Sequence, residues 1–408
     1  MRPLAEAQRQ VLDTVPPLPA IAAPLAECLG LVLTEDVAAG HDIPPFDNSA
    51  MDGYAVRAAD VTQVPVDLPV IEDVPAGSAP TMDLEAGQAI KIMTGAPMPT
   101  GADTIIRVED TTPADDSVTI NAGAPLGTSV RRAGGDIAAG STVVYAGTRL
   151  GPNHLGVLAS VGAATPTVRR RPRVAVVSTG DELVPYETEV LSPGQIRGTN
   201  GLVLVNVLAE LGVDVVDLGI VGDDADELRA ALARAPREAD AIVTSGGVSM
   251  GEYDLVKAVL TELGGIEFWQ VAMQPGKPFA FGMIDGTPLF GLPGNPVSVF
   301  VAFEQFVRPA LLHMMGSPRL FRPRLRGVLD EDVRTNPEKT VFVRVALEWD
   351  GAIAHARTSG GQDSNVLSAL ASADALAVIP VGEGDLVAGS PVDLEMFRHP
   401  EDRGLSVP

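Results

Sequence analysis

Three short glycine-containing segments bring together residue types that suit an anionic ligand. Gly246 and Gly247 let backbone N–H groups approach an anion closely, and Ser245 and Ser249 add hydroxyl donors. Neither the Walker P-loop pattern nor the Rossmann glycine fingerprint occurs. One such loop is usually only a turn, but three together favour a phosphate or oxyanion site. The segments are VVSTGDEL (176–183), VTSGGVSMGEYD (243–254) and LFGLPGNPVS (289–298).

A lysine in a proline-bounded turn supplies the positive charge that such a site needs. The segment AMQPGKPFAFG (272–282) places Lys277 between a glycine and a proline. A solvated loop lysine is the common alternative, but the chain has 29 basic and 53 acidic residues, so an anion contact is favoured. Asn295 and Ser298 add polar side chains around Pro296, a residue that suits the first position of a helix.

Several carboxylates follow glycine-containing segments or strand ends, and together their oxygens suit a hard cation such as Mg²⁺. Each one alone is more often a helix cap than a catalyst, as Asp223 or Asp224 before ADELRAAL illustrates. The five histidines show no paired spacing, so a zinc site is not expected. No Ser-His-Asp or Cys-His grouping can be recognised. The carboxylates are Asp136, Asp181, Glu182, Asp223, Asp224 and Asp254.

The segments lie in a region where strand and helix patterns alternate. From residue 173 the sequence predicts the buried strand RVAVVSTG, then helices near 199–211, 224–235 and 254–263, separated by the strands VDVVDLGIV and DAIVTSGG. A long helix is predicted over Pro296–Met315. This alternation is typical of a parallel sheet covered by helices, in which ligands bind at the carboxyl ends of the strands.

The flanking regions predict other architectures. Residues 4–38 show helical spacing, and 56–150 hold short strand patterns between Gly, Pro, Asp and Ser, which indicates a small all-β domain. A helix entered through Pro152 is predicted within 149–162. After a basic linker at 316–327, further short strands predict a C-terminal β-barrel or sandwich.

Composition excludes several classes of function. The 408-residue chain is long enough for two to four domains, and its net charge of −24 repels nucleic acid and anionic membranes. Cys28 is the only cysteine, which excludes an intrachain disulfide and fits a reducing compartment. We find no signal-peptide pattern and no uncharged apolar run of about 18 residues, so we expect a cytoplasmic protein without a membrane span.

Seven motifs in order along nearly the whole chain strongly resemble the molybdopterin molybdenumtransferase family, that is, bacterial MoeA proteins and the E domain of gephyrin. They are PPFDNSAMDGYAV (44–56), IMTGAPMPTGADTIIRVED (92–110), RRAGGDI (131–137), STGDEL (178–183), SGGVSMGEYD (245–254), PGKPFAFG (275–282) and GLPGNPVS (291–298).

The resemblance implies a multidomain α/β plus β fold and a homodimer. It implies a discontinuous N-terminal region, a small β domain, a MogA-like α/β pterin-binding domain and a C-terminal β-barrel. In the family the FDNSAMDGYA loop lies by a cleft formed with the α/β domain of the partner subunit. The expected boundaries are 1–45 with 141–168, 46–140, 169–318 and 319–408.

The implied reaction inserts molybdate into adenylylated molybdopterin and hydrolyses the adenylate with Mg²⁺, releasing AMP. The glycine loops and Lys277 are implied to neutralise phosphates. The implied catalytic residues are Asp52, Asp136, Glu182 and Asp254. The implied substrate-binding residues are Ser49, Thr94, Gly246, Gly247, Ser249, Lys277, Asn295 and Ser298. The implied metal ligands are Glu182, Asp223 and Asp254.

Three positions depart from the family pattern. Gln270 and Gln274 stand where many members carry lysine, and Asp363 adds a negative charge within SGGQDSN (359–365). Two alternatives therefore stay open: a non-catalytic dimeric scaffold that binds partner peptides, and a molybdopterin adenylyltransferase. That adenylyltransferase is also a candidate partner protein.

Overall fold

The computed structural model describes residues 1–222, 224–247, 255–263 and 265–398, which form two compact units. The first unit contains 1–21, 30–32 and 169 onward, and the second contains 22–29 and 33–168. No helix in these ranges is long and apolar enough to cross a lipid bilayer. The predicted division into four domains stays a prediction.

The helices of the described chain include one π-helical segment, Phe303–Val307, between α6 and α7. The α-helices are α1 Leu4–Thr14, α2 Pro152–Ser160, α3 Asn200–Leu211, α4 Ala225–Glu238, α5 Leu255–Leu263, α6 Pro296–Ala302, α7 Arg308–Met314 and α8 Leu367–Ala371. Short 3₁₀ turns lie at Leu25–Glu27, Ala58–Val61 and Val108–Asp110.

The strands are numbered in chain order. They are β1 Ala20–Ala22, β2 Val32–Leu33, β3 Val37–Ala38, β4 Asn48–Ser49, β5 Gly53–Val56, β6 Val66–Val74, β7 Ala89–Ile92, β8 Thr104–Arg107, β9 Thr111–Pro113, β10 Ser117–Ile120, β11 Val130–Arg131, β12 Thr142–Val144, β13 Thr167–Arg169, β14 Arg173–Thr179, β15 Leu183–Val184, β16 Ile196–Arg197, β17 Asp214–Val221, β18 Ala241–Ser245, β19 Ile266–Gln270, β20 Met273–Gln274, β21 Pro278–Ile284, β22 Thr287–Leu292, β23 Arg324–Leu329, β24 Thr340–Asp350, β25 Ile353–Thr358, β26 Ala375–Ile379 and β27 Pro391–Met396.

The first unit contains the predicted α/β sheet. Its strand order is β17-β14-β18-β22-β21-β19, and the first four strands run parallel. β21 is antiparallel to both neighbours and adds a mixed edge. β18 and β22 are buried at every residue because apolar clusters cover both faces, one around Phe290 and Phe303 and one around Val177 and Leu289. The multidomain α/β plus β prediction is therefore confirmed.

A closed barrel forms the C-terminal part of the first unit. Its strands follow the order β24-β25-β23-β27-β26, and β26 pairs back onto β24 to close the ring. Val345, Leu347 and Leu394 are among the side chains that fill its interior. β20 pairs in parallel with the start of β24 and joins the sequence around Met273 to the barrel. A barrel, not an open sandwich, is therefore the C-terminal architecture.

The second unit is built on a six-stranded sheet of order β8-β5-β7-β6-β10-β9. Apolar side chains cover it in two clusters, one around Tyr54 and Val118 and one around Ile90 and Ile105. β4 pairs with β11, so the chain around Ser49 lies beside the chain around Val130. This confirms the small β region that the short strand patterns predict.

The predicted helical stretch over 4–38 is wrong beyond its first eleven residues. α1 ends at Thr14, and the sequence then turns into short strands and a 3₁₀ turn. Pro16, Pro17, Pro19 and Pro24 lack backbone N–H donors and restrict the residues before them, so the helix cannot continue through them. Apolar spacing alone missed this local constraint. The long helix over 296–315 is present, with the π-helical segment inside it.

Candidate functional site

The predicted ligand-binding edge exists in the first unit. Parallel pairing places Ser178 beside Ser245 and Ser245 beside Leu292, so β14, β18 and β22 end at one edge of the sheet. The three glycine-containing segments follow these strand ends. The parallel sheet that the alternation of strand and helix patterns predicts is therefore present, with these three strand ends at one edge.

A cavity of about 370 Å³ lies near this edge, and we call it the lysine cavity. The barrel contributes to it because β20 pairs with β24, which brings the residues before Thr340 close to the turn at Lys277. Three predicted residues, Lys277, Asn295 and Ser298, line the cavity together. The full lining is Met273, Gln274, Pro275, Gly276, Lys277, Pro278, Pro293, Gly294, Asn295, Ser298, Lys339, Gln362, Asp363 and Ser364.

Two ammonium groups in this cavity have no protein partner. The chain contains four lysines, of which Lys277 and Lys339 both line the cavity. Both are half-buried, and within the described ranges neither ammonium group makes a hydrogen bond or ion pair. By contrast, Lys91 pairs with Asp73 at 2.9 Å. Two unpaired cations facing one space in an acidic protein are an arrangement that an anion stabilises.

Ser364 connects the barrel to the loop that precedes α6. Asn295 donates from Nδ2 to Ser364 Oγ at 2.9 Å, and the Val297 N–H donates to the Ser364 carbonyl at 3.1 Å. Asn295 does not cap the helix with its side chain. The barrel loop thus holds the hydroxyl of Ser364 at the cavity together with Ser298, which is only 5% exposed.

A larger cleft of about 700 Å³ lies at the carboxyl ends of β14 and β17, and we call it the strand-end cleft. A Cβ added at Gly180 would lie 2.6 Å from Oε2 of Glu182, so the carboxylate of this predicted catalytic residue folds back over a cleft-lining glycine. Glu182 itself is exposed. The lining is Ser178, Gly180, Asp181, Leu183, Pro185, Tyr186, Glu187, Gly198, Gly201, Leu202, Val205, Asp217, Gly219, Ile220 and Gly222.

Gly246 and Gly247 line neither of these two cavities. Both have positive φ, +101° and +67°. A Cβ at Gly246 would lie 2.6 Å from the Thr179 carbonyl oxygen, and one at Gly247 would lie 2.1 Å from Val256. Close packing of strand ends and of α5 therefore already requires glycine here. An anion contact at these glycines stays a prediction.

The second unit brings Asp52 and Thr94 together. The N–H and Oγ1 of Thr94 both donate to Asp52 Oδ1, each at 2.7 Å. The backbone bond from Thr94, and then its hydroxyl bond, hold the pKa of Asp52 below its ordinary value. The two hydrogen bonds therefore orient the exposed carboxylate of Asp52, and its assigned catalytic role stays a prediction.

Ser49 and Asp136 have different surroundings in the same unit. The Ser49 side chain is fully buried, and its hydroxyl donates to the Met51 carbonyl at 2.5 Å and accepts from the Met51 N–H at 3.3 Å. This hydroxyl closes the turn before Asp52. Asp136 is exposed, and its N–H donates to the Ile43 carbonyl at 3.1 Å. Both assigned roles stay predictions.

The described part of the chain does not contain the complete set of predicted magnesium ligands. Asp223, Asp254 and the predicted substrate contact Ser249 lie outside the described residues. Among the residues that are described, no three His, Cys, Asp or Glu side chains come together as a metal-binding group. Mg²⁺ commonly binds one or two carboxylates together with substrate phosphates. Glu182 is thus the one predicted ligand with a described position, and it forms no cation site on its own. Asp224 caps α4 by accepting from the N–H groups of Asp226 and Glu227.

On the barrel side of the lysine cavity, sequence reasoning singled out Asp363 but not Lys339 or Ser364. Lys339 lies in a polar turn before β24, and Ser364 lies in the turn between β25 and α8. Lysine is so rare in this chain that the scarcity itself was a usable clue. Arg344, fully buried beside the loop that carries Ser364, was also missed because a lone arginine in a strand pattern reads as a surface residue.

Comparison with known proteins covers nearly the whole chain. Residues 2–162 match the MoeA N-terminal region (domain I and II), 175–313 match a probable molybdopterin binding domain, and 326–397 match the MoeA C-terminal region (domain IV). The chain is 43% identical over 400 residues to molybdopterin molybdenumtransferase 2 of Mycobacterium tuberculosis, covering 96% of this chain and 98% of that protein.

Two further relatives agree. Molybdopterin molybdenumtransferase of Haemophilus influenzae is 35% identical over 404 residues, covering 98% of this chain and 99% of the relative. The crystal structure of the molybdopterin biosynthesis MoeA protein from Pyrococcus horikoshii OT3 matches with a TM-score of 0.81 at 29% identity, covering 97% of this chain and 100% of that chain.

Proposed function

The chain belongs to the MoeA family of molybdopterin molybdenumtransferases, and from this premise we propose that it transfers molybdenum from molybdate to adenylylated molybdopterin. In the proposed reaction the two dithiolene thiols of the pterin lose their protons and bond to molybdenum, and one oxygen of molybdate leaves with these protons as water. A second water molecule adds to phosphorus, the phosphoanhydride bond of the adenylate breaks, and AMP leaves the pterin phosphate. The product is molybdenum cofactor, so the protein acts in molybdenum cofactor biosynthesis.

One observation carries the assignment of the anion site. Lys277 and Lys339 are half of the chain's lysines, and both face the lysine cavity without a protein partner among the described residues. Molybdate is a small tetrahedral dianion. Two ammonium groups neutralise its charge, and the hydroxyls of Ser298 and Ser364 and the amide of Asn295 supply donors for its oxygens. The cavity of about 370 Å³ has room for it beside part of a larger substrate.

The strand-end cleft is our proposed site for the pterin part of the substrate. Leu183, Tyr186 and Ile220 provide apolar surface for a flat heterocycle, while Ser178 and Asp181 provide polar groups. We assign Glu182, whose carboxylate lies beside the cleft-lining Gly180, the role of orienting a water molecule. We propose Asp52 as a further functional carboxylate, because two hydrogen bonds from Thr94 fix its orientation.

Three further parts of the proposal come from family membership. Mg²⁺ is proposed as the cation, and Glu182, Asp223 and Asp254 are proposed as its ligands. A homodimer is proposed, with each cleft completed by the partner subunit, and molybdopterin adenylyltransferase is a proposed partner protein. A cytoplasmic location also stays a prediction.

Release of AMP from adenylylated molybdopterin tests the function. We expect the full-length protein to release AMP in a reaction that depends on molybdate. The variant Lys277→Ala should raise the molybdate concentration needed for half-maximal rate. Binding of the adenylylated pterin without any AMP release would favour the scaffold alternative, and formation of adenylylated molybdopterin from ATP would favour the adenylyltransferase.

A further inference from the structure

The loop over residues 360–364 is held in place by Arg344 on β24, whose side chain lies on the face of the strand opposite to the interior residues Val343 and Val345. Arg344, on β24, donates from Nη2 to the Gly361 carbonyl at 2.8 Å and to the Asp363 carbonyl at 3.2 Å. Its backbone N–H donates to Gln362 Oε1 at 3.0 Å. Gln362, Asp363 and Ser364 of this loop line the lysine cavity. Arg344 therefore orients the barrel loop that lines the lysine cavity.

Arg344 is an unusual choice for a loop anchor. It is 0% exposed, and burial lowers the pKa of its guanidinium while the negative charge of Asp363 acts in the opposite direction. Within the part of the chain that the structure describes, its Nε and Nη1 atoms have no hydrogen-bond partner, and it forms no ion pair. Burying a charge in this way costs stability. Its hydrogen bonds to the Gly361 and Asp363 carbonyls fix the geometry of the loop over residues 360–364.

Asp363 is the acidic residue of the loop that Arg344 holds at the lysine cavity. Its carboxylate is exposed, lines the same cavity as Lys277 and Lys339, and makes no hydrogen bond or ion pair to any described residue. Its main-chain carbonyl, by contrast, accepts bonds from Arg344 and from the Val366 N–H. The residue is thus fixed through its backbone, and it brings a negative charge to the lining of the lysine cavity.

We propose that Asp363, held by Arg344, is a specificity-determining residue that weakens the binding of doubly charged oxyanions in the lysine cavity. The inference rests on the proposed function of that cavity. Repulsion between Asp363 and a bound anion is proportional to the charge of the anion, whereas a change in cavity shape affects tetrahedral anions of similar size alike. The charge of the ligand therefore separates an electrostatic role from a structural one.

The test is calorimetric titration of the full-length protein with molybdate and with perrhenate, a tetrahedral anion of single charge. At low salt we expect Asp363→Asn to tighten molybdate binding about five- to fifteenfold and perrhenate binding only about two- to fourfold, and both gains should shrink in higher salt. The control is Asp350→Asn, which makes the same charge change on an exposed residue. Asp350 lies at the end of β24 far from Lys339 and the lysine cavity, about 30 Å along the strand. It should leave both affinities unchanged.

The role of Arg344 is tested by Arg344→Met, which removes the anchor and its charge. We expect molybdate binding to weaken, and Asp363→Asn in that background to give less than half of its effect on molybdate affinity. If Arg344→Met does not fold, Arg344→Lys, which keeps the charge but not the planar donor pair, should show the same reduction in smaller degree.

Several outcomes would overturn the proposal. Unchanged molybdate affinity in Asp363→Asn, equal gains for the two anions, or the same gain in Asp350→Asn would each do so while leaving the proposed function intact. An undiminished effect of Asp363→Asn in the Arg344 variants would remove Arg344 from it. If molybdate binds the unmodified protein and Lys277→Ala does not weaken that binding, the cavity assignment itself is wrong, and both proposals fail.

Discussion

Lys277→Ala is the perturbation that most directly probes the anion site. The Lys277 ammonium group is half-buried, lines the lysine cavity and has no partner among the described residues. Its removal therefore breaks no hydrogen bond or ion pair with the described residues. The variant is expected to fold with little change in stability, so a large change in anion affinity reports on the ligand contact.

The expected loss follows from the kind of contact involved. A hydrogen bond to a charged group contributes about 1.5–3 kcal/mol, which corresponds to a loss of affinity of about 10- to 150-fold. Gln274 also lines the cavity, but it is uncharged and cannot replace the ammonium group. Lys339 remains in the variant, so weak binding should persist, and Lys277→Ala with Lys339→Ala should lose it almost completely.

Calorimetric titration with molybdate at two salt concentrations measures the effect. The variant should bind more weakly and show a smaller dependence on salt, because one fewer charge contributes. Lys91→Ala is the matched control: it removes the same charge, but Lys91 already pairs with Asp73 in the other unit. Equal affinities for the unmodified protein and Lys277→Ala, or an equal loss in Lys91→Ala, would refute the assignment of the cavity.

Three further predictions concern Asp52, Thr94 and Gly247. Thr94→Val should raise the pKa of Asp52 towards its ordinary value, as measured by NMR titration of the carboxyl carbon. Because the Thr94 bonds lower this pKa, they stabilise the folded protein at pH values above the unfolded pKa of about 4, and this stabilisation is lost as pH falls through the folded pKa. Asp52→Asn should slow AMP release by about 10²-fold or more with little change in Tm, whereas a large fall in Tm with normal turnover would indicate a turn-stabilising role. Gly247→Val should lower the free energy of unfolding in urea by at least about 2 kcal/mol, through a clash with Val256 in addition to its positive φ, and Gly77→Val, with φ +83° and open space around it, should cost less.

The alternation of strands and helices, the family and half of the lysine cavity were accessible from the sequence alone. Buried strands and amphipathic helices carry local periodicities, and the segments at Lys277 and Asn295 carry local turn chemistry, so neighbours in sequence are enough to recognise them. The same alternation predicted a parallel sheet, in which ligands bind at the carboxyl ends of the strands. The helix predicted over 4–38 was wrong because the prediction used apolar periodicity and did not take account of four prolines that are visible in the same sequence.

Only the tertiary structure decided which distant residues complete the site. Lys339 and Ser364 reach the cavity because β20 pairs with β24 and because Ser364 bonds to Asn295, contacts between residues tens of positions apart. No local pattern encodes such pairing, since it depends on closure of the barrel and on packing against the sheet. The same holds for Arg344: its type suggests the surface, and only the tertiary structure buries it and brings it to the two loop carbonyls that it bonds.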